Sequence, residues 1–391
     1  MDALTLVANP GSASRKYALF SRDILVADIH FEREKKAIIY TLRSGGKTVT
    51  KSANLSHISF AATLLPDLLT KHKLVADLKD VQKIALRIVA PSEYFQQHRV
   101  LDEEALKNLE RLEPYAMIHI GSALQEVKLL ERTFPSVPVV GVSDSAFHST
   151  VPEPYANYGL PYEDAKKFGI RRYGYHGLSV DSVVGVLKRQ KQLPKRLIVC
   201  HLGSGSSVTA VKNGTSRNTT MGFTRLERLV MATLCGSFDP EIVEVLQSGL
   251  GLKALKLQDY LNNKSGLLGV SGVSSDIREL LESESAGNER ARLALDMYVA
   301  RAQMAIGQMM TVLNGCDALV FTGTVGERSA EIRKRIVSRL LFSGFSLDSH
   351  QNHAQTNPEK PVVISPADHP AKVFVIPTEE NAVIAARAHK I

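Results

Sequence analysis

The residues of this chain best suited to chemistry stand beside glycines. Leu6-Val7-Ala8-Asn9-Pro10-Gly11-Ser12-Ala13-Ser14 is echoed at Ile198-Val199-Cys200-His201-Leu202-Gly203-Ser204-Gly205-Ser206. Each is an apolar run, a polar residue and Gly-Ser-x-Ser, continued by a second apolar segment. Glycine lets a backbone come close to a ligand, while hydroxyls and turn amides face an anion. The echo predicts a duplicated lobe, with the two turns facing each other across one cleft around a phosphate chain. Chance recurrence of two Gly/Ser turns is the plain alternative. Asp144, in Val142-Ser143-Asp144-Ser145-Ala146-Phe147-His148, follows directly on an apolar run. A carboxylate at a strand's carboxyl end is placed for metal or catalytic work, or for capping a turn. Arg171-Arg172-Tyr173-Gly174-Tyr175-His176-Gly177 sets two guanidiniums and an imidazole among glycines, an oxyanion site or a structural histidine in equal measure. Thr322-Gly323-Thr324-Val325-Gly326-Glu327 lies between a predicted strand and a predicted helix, which suits a nucleotide. Neither the Walker loop nor the Rossmann glycine fingerprint is present.

The elements that must carry these groups alternate. Apolar β-type runs are expected at 4–8, 84–89, 137–142, 196–200, 318–322 and 373–376, with helical periodicity at 122–132 and 291–313. Gly315 is the expected cap of the second of these helices, and Ser329 the N-cap of a further one, with Glu331 in its first turn. Strands alternating with helices along the whole chain mean an α/β class. No Pro/Ser/Gly-rich linker separates two independent domains.

Composition narrows the field. Of 391 residues, 44% are apolar and 23% charged, which excludes a disordered or coiled-coil chain. No apolar run approaches the roughly 18 residues of a membrane span. The start, Met1-Asp2-Ala3, lacks the features of a secretion signal, and the three cysteines (Cys200, Cys235, Cys316) form no Cys-x-x-Cys pair, so a cytoplasmic protein with neither disulfides nor a zinc cage is expected. The net charge of +8 is concentrated at Lys188-Arg189-Gln190-Lys191 and Lys195-Arg196, without interleaved aromatics and with no Trp in the chain. That pattern reads as a solvated basic turn, not a nucleic-acid surface.

Taken in order, the segments resemble the acetate kinase family, the carboxylate kinases of the sugar kinase/actin/Hsp70 superfamily. The resemblance spans nearly the whole chain. It is carried by Asn9-x-Gly-Ser-x-Ser-x-Lys16, Ala85-Leu86-Arg87-Ile88-Val89, Asp144 to His148, Gly169 to Gly177, Cys200 to Gly205, Thr220 to Thr224, Ser265 to Arg278, Val320 to Glu327 and Ile376 to Glu380. It implies two ribonuclease H-like lobes with an active cleft between them, residues 1–148 plus 381–391 forming the first and 149–380 the second, nucleotide-binding lobe. It also implies a homodimer, and transfer of the γ-phosphoryl of ATP to acetate or a similar carboxylate with Mg²⁺ or Mn²⁺.

Position by position, the resemblance makes Arg87 the holder of the acceptor carboxylate and His176 a donor to the transferring phosphoryl. Asp144 becomes the group that orients a metal water or the attacking carboxylate. Asn9 and Glu380 would fix the metal. Val89, Ile118 and Tyr175 fall where the family builds its acceptor pocket, with His119 close by. Lys16, His201, Leu202, Gly203, Ser204, Gly205, Asp276, Ile277, Arg278, Thr324, Val325, Gly326, Glu327 and Arg328 would receive the nucleotide. The departures are Ala90-Pro91-Ser92 for the family's His-Gly-Gly, Val180 for a second histidine, Ser204 for asparagine, Arg225 for a proline and Leu234 for a transition-state arginine. Three activities fit this pattern: a carboxylate kinase in which Arg225 compensates at the acceptor site, a kinase for another anionic acceptor, or a nucleotide- or metabolite-binding protein without turnover.

Overall fold

Leu4–Pro10 is buried over six of its seven residues and Ala318–Thr322 over all five. Runs buried on both faces belong at the centre of a sheet with helices covering it. The computed structural model has this form. It describes every residue except Met1, Asp2, Ser12, Ala13, Lys35, Lys36, Arg225 and Arg228, and of the side chains of 114–119 nothing is said. The expectations for Ser12 and Arg225, and for the side chains of Ile118 and His119, therefore lie outside the described residues. The chain divides into two compact units, residues 1–146 with 379–391, and 147–378.

The first unit contains strands β1 (Leu4–Pro10), β2 (Ser14–Ser21), β3 (Ile24–Glu34), β4 (Ala37–Ser44), β5 (Lys47–Ala53), β6 (Val81–Ile88), β7 (Arg99–Val100) and β8 (Val139–Ser143), in the sheet order β5-β4-β3-β2-β1-β6-β8-β7. The second contains β9 (Arg196–Leu202), β10 (Ser206–Lys212), β11 (Thr215–Thr219), β12 (Ala318–Thr322), β13 (Val362–Val363) and β14 (Lys372–Val375), ordered β11-β10-β9-β12-β14-β13. The helices that position functional groups are α1 (Glu103–Thr133), α2 (Gly177–Arg189), α3 (Glu289–Leu313), α4 (Gly323–Arg328), α5 (Ala330–Val337), α6 (Ser349–Ala354) and α7 (Glu380–Ala388).

The two sheets repeat one plan. In the first, β1, β2 and β3 form an antiparallel meander, and β6 then β8 lie parallel to β1. In the second, β9, β10 and β11 form the meander, and β12 then β14 lie parallel to β9. The turns at Gly11 and Gly203 close the first hairpin of each, with Gly11 N–H on Ser14 O and Gly203 N–H on Gly205 O, both at 2.9 Å. The echo in the sequence is thus a repeat of topology. Each sheet has its own apolar core, around Leu6, Tyr17 and Phe31 in the first unit and around Leu319, Phe321 and Tyr298 in the second.

Two local expectations change. The helix expected at 122–132 runs from Glu103, capped by Asp102 accepting Ala105 N–H at 2.9 Å, and it continues through Pro114. Packing against the sheet outweighs the break that proline favours locally. At the end of α3 the left-handed cap is Asn314 (φ 55°), and Gly315 follows it with φ 105°. Ser329 caps α5 as expected, accepting Ile332 N–H at 3.3 Å. Among the described residues no helix is long and apolar enough to cross a membrane, and the three cysteines are free thiols.

Candidate functional site

Carboxyl ends of neighbouring parallel strands are where α/β sheets gather ligands. In the first unit those ends carry Asn9 on β1, Arg87 on β6 and Asp144 just past β8, and α7 opens beside them with Glu380. Arg87 is the hub. Its Nη2 donates to Asp144 Oδ2 at 2.9 Å, its Nη1 donates to Asn9 Oδ1 at 3.3 Å, and Glu380 Oε2 lies 3.6 Å away. Asn9 Nδ2 donates to Glu380 Oε2 and to Asn381 Oδ1, both at 3.3 Å. Burial alone would weaken the Arg87 charge, but Asp144 and Glu380 override it and hold the guanidinium more firmly protonated than usual. Its Nε is buried with no hydrogen-bond partner among the described residues. A guanidinium donor left so costs about 1–3 kcal/mol until it meets an oxygen.

The donor set also fits a hard cation. Asn9 supplies an amide oxygen, and Asp144 and Glu380 supply carboxylates. Among the described residues no cluster of three or more His, Cys, Asp or Glu forms a closed cage. Mg²⁺ favours one or two carboxylates with phosphate and water completing its shell. Lys16, exposed on β2, lies directly across from Asn9 in the β1–β2 register, so the two share a face of the sheet.

The Asp144 turn is braced from a segment that sequence reasoning passed over. Asp144 N–H donates to Ile88 O at 2.9 Å, Ser143 N–H to His98 Nδ1 at 3.1 Å, and the Ser143 hydroxyl to Phe95 O. Val89 lies half-buried just beyond β6, and Ala90 is buried.

In the second unit the corresponding strand ends carry His201 on β9, the Gly323 turn after β12 and Thr378 beyond β14. His176, immediately before α2, has φ 59°. The left-handed region costs a non-glycine residue about 1–2 kcal/mol, so surrounding contacts must hold it there. His176 Nδ1 and the Ser207 hydroxyl hydrogen-bond at 3.1 Å, and its ring lies tilted against that of His201, 4.2 Å between centroids. His201 Nδ1 and the Ser179 hydroxyl bond at 2.8 Å, and Thr378 Oγ1 donates to Ser179 Oγ at 3.1 Å. A Cβ on Gly203 would sit 3.8 Å from both His201 Nε2 and Thr324 N. A Cβ on Gly323 (φ 78°) would sit 2.8 Å from Leu202 O, so only glycine allows this approach. The segments 201–205 and 322–328 therefore lie side by side, as a phosphate-binding pair of turns requires.

Not every candidate presents its side chain. Glu327 is turned inward: its Oε1 accepts Gly323 N–H at 2.8 Å and Thr378 N–H at 3.2 Å, and burial raises its pKa against the pull of those amides. Val325 and Gly326 belong to the same short helix, and Arg328 Nε donates to Asn357 Oδ1 at 3.0 Å. Asp276 caps the helix Ile277–Ser285 and pairs with Arg278 at 2.6 Å. No hydrogen bond or ion pair among the described residues joins Asp276 or Arg278 to segments 201–205 or 322–328. Arg171 and Arg172 pair with Glu153 (3.0 Å) and Glu227 (2.5 Å) and brace loops. Tyr175 is buried and donates to Phe223 O at 2.7 Å. His148 supports it, Nε2 bonding Tyr175 O at 3.1 Å.

The Leu234 loop is docked onto backbone. Ser265, Leu267 and Leu268 N–H donate to the carbonyls of Thr233, Met231 and Ala232 at 3.1, 2.8 and 3.0 Å. Gly266 lies against it so closely that a Cβ would stand 2.2 Å from Met231 O. The glycine-rich segment from Ser265 thus acts as the seat of this loop. Ser207, Ser179 and Asn381, which organise the two sets of groups, had no motif of their own and only adjacency to Ser206, Gly177 and Glu380 pointed their way; Thr378 lay within the Ile376 to Glu380 segment without a role assigned to it.

A family model described as the Acetokinase family matches residues 4–386. The chain is 38% identical to the acetate kinase of Heliobacterium modesticaldum, with 99% of each sequence covered. It is similar to the crystal structure of a propionate kinase from Francisella tularensis with a TM-score of 0.90, 32% identity and full coverage of both chains. It is likewise similar to that of Porphyromonas gingivalis acetate kinase, with a TM-score of 0.87, 33% identity, and 100% and 99% of the two chains covered.

Proposed function

The chain belongs to the acetokinase family, and from that premise we propose that it transfers the γ-phosphoryl of ATP to acetate or another short-chain carboxylate, giving the acyl phosphate and ADP. The observation that supports this most directly is Arg87, held charged at the ends of three parallel strands with a buried Nε awaiting an oxygen. A planar fork of donors suits a carboxylate.

An acceptor carboxylate is already ionised at neutral pH, so its oxygen attacks the γ-phosphorus with no proton to remove. The bond from that phosphorus to the β,γ-bridging oxygen breaks as the new one forms, and ADP departs. Asp144 is accordingly an orienting group and not a base: its ion pair with Arg87 fixes the guanidinium that receives the acceptor. His176 donates to the oxygens of the transferring phosphoryl, where charge is spread at the transition state. The amides of Ser204, Gly205, Thr324 and Val325, with the hydroxyls of Ser204 and Thr324, receive the phosphate chain. Asn9, Glu380 and Asp144 would hold Mg²⁺, which when bound supplies charge neutralisation for the phosphates. Val89, half-buried just beyond β6, would meet the alkyl end of the acceptor. With Leu234 in place of the family's arginine, Arg87 and His176 bear more of the charge stabilisation.

A homodimer accords with the helix Glu241–Leu250, which buries no residue of its own and exposes Ile242 (42%), Val245 (68%) and Leu250 (54%). The deciding experiment is coupled ADP release with Mg²⁺-ATP and a series from acetate to butyrate. Turnover with at least one of these acceptors is expected; nucleotide binding without turnover of any would sink the proposal.

A further inference from the structure

Arg333 on α5 is the largest fully buried side chain among the described residues. All five of its donors meet oxygens, and none of those is a carboxylate. Nε donates to Asn352 Oδ1 at 2.8 Å, Nη1 to Gly326 O and Glu327 O at 2.9 Å each, and Nη2 to Asn352 O at 2.7 Å and Gln355 O at 2.8 Å. Burial without an anion pulls its pKa down to about 10, so it stays charged at neutral pH. A buried charge without a counterion is tolerated only when its hydrogen bonds are complete.

The carbonyls it takes are the ones a helix leaves unpaired at its carboxyl end. Gly326 and Glu327 close α4, and Asn352 and Gln355 close α6, so one guanidinium caps two short helices from a third. Its charge also matches the negative end of each backbone dipole. At the other end of α4, the Glu327 carboxylate takes Gly323 N–H. Asn352 in turn donates to Ala330 O at 2.9 Å, which locks α6 onto the start of α5. The six-residue helix α4 is thus gripped at both ends by buried ionisable groups, with its first turn against Leu202 and Gly203.

We propose that Arg333, assisted by Glu327 and Asn352, is a positioning residue for the nucleotide: by fixing α4 from behind it holds the amides of Thr324 and Val325 at the distance from the 203–205 turn that a phosphate chain needs. This rests on the reading that α4 receives nucleotide. An apolar side chain at 333 would strand the carbonyls of Gly326, Asn352 and Gln355, leaving Glu327 O only its bond from Asn357 N–H, and α4 would then settle elsewhere.

Two arms test this. Hydrogen exchange of the peptide spanning 321–329 in the wild-type protein, with and without Mg²⁺-ATP, tests the underlying reading. Protection is expected; no protection overturns that reading and the proposal with it. Arg333→Lys, which keeps the charge and loses the fork, tests the proposal itself. Faster exchange in 321–329 without ligand is expected, with a rise of tenfold or more in KM for ATP and an acceptor KM within twofold of wild type. Should Arg333→Lys fail to fold, Asn352→Ala removes the Nε acceptor and the bond to Ala330 O while leaving the four backbone acceptors of Arg333, and a smaller shift of the same kind is expected. Added guanidinium should restore the ATP KM of Arg333→Ala. If 321–329 is protected by ATP yet these variants only lower the melting temperature, or raise both KM values together, Arg333 is structural and the proposal fails alone.

Discussion

At the ends of β1, β6 and β8 the chain presents Asn9, Arg87 and Asp144, groups with full charges or strong side-chain dipoles. At the corresponding ends of β9, β12 and β14 it presents His201, the Gly323 turn and Thr378, where imidazole, hydroxyls and backbone amides predominate. One sheet plan thus serves two kinds of recognition. In the first unit the charges are directed to the ligand side of the sheet and hold one another in place, Arg87 standing between two carboxylates and an amide. In the second, two charged-type side chains behind the Gly323 turn, Glu327 and Arg333, are buried and directed at the backbone. A compact anionic acceptor and a metal ion call for localised charge, which falls off steeply with distance. A phosphate chain is long and its charge is spread, so a row of correctly spaced amides serves it, and spacing is what buried clamps supply.

The comparison is most severely tested at Arg87. Arg87→Ala takes from the buried Asp144 its ion pair, a loss of about 3–5 kcal/mol, and removes the donor fork from the acceptor. Turnover is expected to fall by roughly 10³-fold or more, with a marked drop in melting temperature; activity within tenfold of wild type would break the assignment of charge to this unit.

Glu380→Ala should act next most strongly, and on metal dependence. The Mg²⁺ concentration for half-maximal activity should rise by roughly 10–100-fold, the range seen when groups around a metal site are lost, and chelation should abolish wild-type turnover. An unchanged Mg²⁺ titration would take Glu380 out of the metal set.

Gly323→Ala probes the other unit by geometry alone, since no charge changes. The new Cβ would meet Leu202 O at 2.8 Å and the residue would be forced into the left-handed region. A rise in KM for ATP of roughly tenfold, equivalent to about 1.4 kcal/mol, is expected with the acceptor KM unchanged. Equal changes in both constants would blur the distinction drawn between the units.

The smallest effect concerns Glu327. Burial raises its folded-state pKa above the unfolded value, so the folded state binds more protons between the two. Its contribution therefore weakens stability as pH rises through that window and recovers as pH falls back toward the ordinary carboxylate range. Glu327→Gln, which keeps an oxygen for Gly323 N–H, should differ little in stability at the low end of the window and lose this slope. Denaturant unfolding of both proteins between about pH 4 and 7 measures it; identical slopes would mean that Glu327 is not titrating from a buried position.

Much of this organisation was legible without coordinates. The central strands announced themselves as continuous apolar runs, because a segment covered on both faces has no place for polar residues. The echo of Asn9–Ser14 in His201–Ser206 carried the repeated meander, since a hairpin and its turn are specified by residues close together in the chain. The resemblance to a known family brought Asn9, Arg87, Asp144 and Glu380 into one set although they are far apart in sequence, and their side chains do converge.

The interior roles of charged residues were decided elsewhere. Arg333, Lys334 and Arg335 are three consecutive bases on one helix, and nothing local distinguishes them. Lys334 is exposed, Arg335 reaches Glu284 and Glu331 at 2.6 and 2.8 Å, and Arg333 is enclosed. Likewise Glu327 has the look of a ligand in a nucleotide loop, yet it faces its own helix and Thr378. The helix α1 passes through Pro114 because the sheet beneath it outweighs a local preference. Hydrophobic period and turn chemistry are properties of neighbouring residues and can be read in one dimension. Whether a charge is solvated or enclosed depends on which distant segments, here 352–355 and 378, close over it, and that is known only when the chain has folded.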